Sequence, residues 1–250
     1  MKKGSAGLGM VFFAGALLVG PAQGAVKPRI SVEAGTVAFR NARGKLVKRI
    51  PLVSESGGSA SSDPAVENRV QKQDAAFLSP GRNYAAVVTF PSVPRANGAE
   101  GLASVRFYDG TGTSLWQAEG LSEVDPLRFS DDGKTVLLVC RNEGRETGVR
   151  AVARETQTGK VLFRSEPRAQ IHELTLSPNG RYGRFHARDA AFRQTQVIFG
   201  VAPAREKALD LDEEIYVLPE DDGVFRYFVF QRDAAFSRSF SYTVKEIRLD

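Results

Sequence analysis

Four times along the chain an apolar stretch enters a short Ser/Pro/Asp/Asn turn with a glycine and leaves it as a second alternating stretch. Such a sequence is confined to antiparallel β-structure, because Asp-Gly and Asn-Gly supply the positive φ that a tight hairpin needs. The turns are Ser79-Pro80-Gly81, Ser130-Asp131-Asp132-Gly133, Ser177-Pro178-Asn179-Gly180 and Pro219-Glu220-Asp221-Asp222-Gly223. Their glycines, at positions 81, 133, 180 and 223, follow one another at intervals of 52, 47 and 43 residues, which is a repeat length. Between them runs a second hairpin, over residues 105–116 and again over 149–163, with Gly112 and Gly159 47 apart. A degraded copy spans 196–209, and an N-terminal copy spans 36–47.

Two hairpins per period make four strands, and four antiparallel strands per 40 to 50 residues form the blade of a β-propeller. The expected fold is all-β, a small propeller of four to five four-stranded blades filling residues 25–250 as one domain. A half blade over about 29–52 precedes three full blades, and a last unit carries residues 215–230 and an alternating strand over 240–249. Closure removes exposed strand edges, so the N-terminal hairpin is expected to complete the last blade. An open arc docking on a partner is the alternative.

The turns Ser130-Asp131-Asp132-Gly133-Lys134 and Ser177-Pro178-Asn179-Gly180-Arg181 resemble the Ser-Pro-Asp-Gly-Lys hallmark of WD-repeat-like blades in bacterial exported propellers of the Tol type. The resemblance spans most of residues 70–230 and concerns fold, since such blades serve unrelated roles. The chain departs from it where Ser79-Pro80-Gly81 lacks one turn residue, where Pro219-Glu220 replaces Ser, and in ending no blade with Trp-Asp. Residues 108–116, ending in the single Trp116, are similar to the docking motif of quinoprotein propellers, where it packs blade to blade around a pyrroloquinoline quinone. Eight such blades demand far more chain, so Trp116 is read as inter-blade packing.

The N-terminus carries the clearest address. Lys2 and Lys3 precede an apolar run from Met10 to Val19, Pro21 ends it, and Ala22-Gln23-Gly24 offers small residues for cleavage between Gly24 and Ala25. Residues 1–24 are expected to be a signal peptide and the mature protein periplasmic or secreted, without membrane insertion after signal removal. An uncleaved N-terminal anchor is the competing reading. Without Lys2 and Lys3 the balance is 32 basic against 29 acidic side chains, which is too even for a nucleic-acid footprint. Arginines such as Arg106, Arg150, Arg184 and Arg226 fall at positions that read as the wet side of strands.

No catalytic, cofactor or metal residues are assigned from the sequence. The lone Cys140 closes the apolar run Val136 to Val139 and reads as a small buried hydrophobe, with nothing placing His172 or His186 beside it. Two histidines do not make a three-ligand zinc site without a carboxylate whose position the sequence does not give. Seven carboxylates between Asp210 and Asp222 lack the twelve-residue calcium-loop spacing and read as two acidic turns flanking a strand.

Residues 54–73 and 91–101 are long polar connections, read either as mobile insertions or as the binding surface of a propeller rim, with the composition of Ser54 to Ala60 favouring mobility. The function class these features favour is a non-enzymatic exported binding or scaffolding propeller, contacting a protein or cell-envelope partner through rim loops. A hydrolase or lyase with dispersed carboxylates, and an ion- or quinone-binding propeller, are the alternatives.

Overall fold

A computed structural model describes residues 29–52, 74–90, 103–122, 126–141, 148–191, 193–209, 216–232 and 240–249. Every described element is a β-strand and every strand pairing is antiparallel. The predicted signal segment and cleavage site, and the insertions 54–73 and 91–101, lie outside the described residues.

The strands follow the chain as a file of meanders. β1 (Arg29–Glu33), β2 (Thr36–Arg40) and β3 (Leu46–Pro51) form a three-stranded sheet. The first four-stranded unit is β4 (Ala75–Leu78), β5 (Tyr84–Thr89), β6 (Ala103–Asp109) and β7 (Ser114–Leu121). The second is β8 (Leu127–Phe129), β9 (Thr135–Arg141), β10 (Val149–Glu155) and β11 (Val161–Arg164). A pairing of Leu121 with Cys140 joins these two units into one eight-stranded sheet. The third unit, β12 (Gln170–Leu176), β13 (Tyr182–Arg188), β14 (Gln194–Val201) and β15 (Ala204–Leu209), is a separate four-stranded sheet. β16 (Tyr216–Pro219), β17 (Val224–Arg232) and β18 (Phe240–Arg248) form the last, three-stranded one. Each terminal sheet thus has three strands, and among the described residues no strand of one pairs with a strand of the other.

Successive side chains of a strand point to opposite faces, so an unbroken apolar run is stable only where both faces are covered. Val136 and Leu138 pack with Phe107 and Phe129 between the first and second units, while Leu137 and Val139 pack with Phe185 and Phe199 between the second and third. In β5, Ala85 and Val87 face Phe39 of the N-terminal sheet, while Ala86 and Val88 face the second unit. Ile198 crosses to Phe225 and Val217 of the last sheet. Each of the three inner units is therefore sandwiched by its neighbours, which is why strands such as Thr135–Arg141 carry no alternating polar face.

The repeated turns lock this file at one edge. In three of them a buried serine holds the hairpin: Ser79, Ser130 and Ser177 each accept a backbone N–H through Oγ, from Tyr84, Thr135 and Tyr182. The residue three places on closes each turn from a left-handed backbone. That residue is Gly133 or Gly180, but in the first turn it is Arg82, at φ 53°, and not Gly81. The first turn consequently has full length, contrary to the sequence reading, and it is the fourth, Glu220 to Val224, that is one residue shorter. Glycine at 180 serves a second purpose, since a Cβ there would lie 2.4 Å from Thr135 Cβ of the preceding unit. The turns also bond to one another. Asp132 N–H donates to Pro178 O at 3.1 Å, and Asn179 N–H donates to Asp221 Oδ1 at 2.9 Å. The described part of the acidic segment is in this way absorbed by turn packing.

Candidate functional site

The opposite edge of the third unit holds the densest group of chemistry-bearing side chains among the described residues. β12 runs toward the locked edge and β13 away from it, so His172, early in β12, and His186, late in β13, lie together at the far end, directly opposite one another. Between His172 and Thr175 the register slips: Glu173 and Leu174 oppose only Phe185. This β-bulge places Glu173 at φ 54°, a backbone conformation that a side chain beyond Cβ strains to adopt. The slip resets the alternation, so that Ile171 and Leu174 are both buried while His172 and Glu173 point away from the core between them.

The result is a compact polar cluster. His186 Nδ1 lies 3.3 Å from Glu173 Oε2, its Nε2 lies 3.2 Å from Arg184 Nη1, and the two imidazoles meet edge to face at 5.6 Å between centroids. Arg184 Nη1 is 4.0 Å from the same carboxylate oxygen. One ligand atom from each of His172, Glu173 and His186 lies within 4.8 Å of the others. The Glu173 side chain is 55% exposed and that of Arg184 only 3%, so the cluster opens to solvent through its carboxylate and is floored by the guanidinium.

Electrostatics favour the neutral form of His186. Burial of the ring lowers its pKa from the usual 6.5, opposed by the Glu173 carboxylate and assisted by the Arg184 and His172 charges. A neutral ring donating through Nδ1 to Glu173 and accepting at Nε2 from Arg184 satisfies both neighbours. The carboxylate that the sequence could not supply to the two histidines is thus Glu173. A signal was present, because an unbroken hairpin from the Ser177-to-Tyr182 turn would set 173 opposite 186; what stayed hidden is the bulge that sets His172 there instead and keeps Glu173 beside it.

Other residues singled out in the sequence fall elsewhere. Arg184 is not on a wet face: with both sides of the sheet covered, it lies beneath the bulge, while Arg106 and Arg226 are exposed as expected. Cys140 is half-buried against the cluster between the first and second units, whereas the histidines belong to the third. Trp116 packs between units, stacked on Phe107 at 4.0 Å and donating Nε1–H to Thr156 O at 2.8 Å. Asp210 to Glu214 lie outside the described residues.

No protein-family model and no curated protein matches the chain. Among solved structures it is similar to TolB from Acinetobacter baumannii, at 16% identity over 85% of this chain and 46% of that one, TM-score 0.41. It is also similar to the β-propeller domain of the Trilobed protease from Pyrococcus furiosus (10%, 89% and 68%, TM-score 0.46) and to a putative TolB from Agrobacterium tumefaciens (12%, 90% and 76%, TM-score 0.40). The chain spans less than half the length of the Acinetobacter protein.

Proposed function

We propose that the chain is an exported binding or scaffolding module of the β-propeller type, its successive sheets serving as blades, which contacts a protein or cell-envelope component without turning it over. The observation that carries this reading is the asymmetry of the two sheet edges. At one edge the turns are consumed by packing between units, through Gly133, Gly180, Trp116 and Asp221. The other edge receives the chain ends that the segments 53–73 and 91–102 connect, together with the His172, Glu173, His186 and Arg184 cluster. Loops that do not lock the scaffold are free to recognise a partner.

Export through residues 1–24, with cleavage before Ala25, belongs to the same proposal, as does ring closure by the two terminal sheets. The test is site-directed photo-crosslinking in envelope extract. A photoreactive residue at position 63, 97 or 190 captures the partner, and one at 43, 134 or 158, at the opposite edge, does not; the reverse pattern rejects this assignment of edges.

A further inference from the structure

We infer that His172, Glu173 and His186 bind one divalent first-row metal ion of the zinc class at the loop-bearing edge of the third unit. Two imidazoles and a carboxylate are a donor set such ions favour, and three protein ligands leave a fourth position for water or a ligand group. The spacing suits it. Ligand atoms held about 2.0–2.1 Å from a tetrahedral Zn2+ lie about 3.3 Å apart, and His186 Nδ1 and Glu173 Oε2 already stand 3.3 Å from each other. His172 completes the set within 4.8 Å, a gap that rotation of its side chain can close.

The backbone points the same way. Glutamate is a poor choice for a left-handed position, and glycine would sit there without strain. Strain kept at one carboxylate between two histidines is the pattern expected where the side chain serves a site and not the fold. Arg184 sets the limit on affinity. Metal on Nδ1 leaves the ring proton on Nε2, which then no longer accepts from Arg184, so the guanidinium must turn away from the ring toward the carboxylate. Its charge weakens the site without removing a ligand.

The test uses the purified full-length chain, stripped with a chelator and titrated at neutral pH with ZnCl2 against a chromophoric chelator, and separately with CoCl2. The expected result is one saturable equivalent of Zn2+ and the visible absorption of four-coordinate Co2+. His172→Ala and His186→Ala each weaken binding at least ~tenfold, as does Glu173→Gly. Glu173→Gly is the decisive variant, because relief of φ 54° offsets part of the lost pairing with Arg184 while the ligand is deleted: it stays folded yet loses the metal. Absence of saturable binding, or parental affinity in Glu173→Gly or in the His172→Ala/His186→Ala double variant, overturns the inference.

Discussion

Trp116 donates its indole N–H to Thr156 O, 2.8 Å away in the next unit, and its ring closes over Gly159, where a Cβ would lie 2.8 Å from the indole carbons. The residue four places after the turn glycine makes this cross-unit contact repeatedly. Lys48, four after Gly44, donates Nζ–H to Gly112 O at 2.7 Å, and Phe163, four after Gly159, stacks on Phe199 at 4.4 Å. The N-terminal sheet therefore docks on the first four-stranded unit as that unit docks on the second.

Gly159→Ala is expected to destabilise the protein by about 2–3 kcal/mol, from a left-handed backbone at φ 73° and overlap with the indole. In a Trp116→Ala background the overlap disappears and only the backbone penalty of about 1 kcal/mol remains. Urea denaturation of the four proteins of this cycle measures the coupling; additive effects would show that the two residues do not touch.

The turn series gives an opposed pair. Gly180→Ala costs about 3 kcal/mol, because the new Cβ meets Thr135 at 2.4 Å and the backbone is left-handed. Arg82→Gly raises stability by about 0.5 kcal/mol, the relief of φ 53° exceeding the entropy glycine adds to the unfolded chain. Melting temperatures of the two variants should move in opposite directions.

Acid should loosen the third unit. His186 has a folded pKa below its ordinary 6.5, so it binds protons more weakly folded than unfolded. Its contribution to stability is full above pH 6.5 and is lost as pH falls from there through the folded pKa. His186→Gln keeps a polar side chain and removes the titration. The slope of stability against pH just below 6.5 should flatten in that variant relative to the parent, as read from urea midpoints.

Deleting residues 25–52 should destabilise the remaining chain and promote aggregation, because it uncovers Ala85, Val87 and Tyr108, which are buried against Ile30, Val37 and Phe39. Unchanged melting of the truncated protein would show that the first sheet is not part of the stacked file.

Much of this fold was legible because turn chemistry is local. Asp132-Gly133 and Asn179-Gly180 announce their hairpins in the sequence, and the strands between them follow. The first turn misled because a glycine stands one place before the left-handed position, and Arg82 adopts that position itself. Arg184 misled for a different reason. Alternation assigns sides to a strand, but which sides are wet depends on neighbouring sheets, and here both are covered. The His172, Glu173 and His186 cluster was half legible, since an unbroken hairpin would pair 173 with 186, while the slip that puts His172 opposite His186 leaves no mark in residue type.

One sheet edge is proposed to hold the scaffold together and the other to do the binding. Replacing residues 54–73 and 91–101 by short Gly-Ser linkers, singly and together, tests it most directly, with melting temperature and retention of the crosslinked envelope partner measured on the same samples. The melting temperature should stay close to the parent's and the partner should be lost. Retention of the partner after both replacements, or hydrolysis of envelope glycans or peptides by the purified parent, would contradict it.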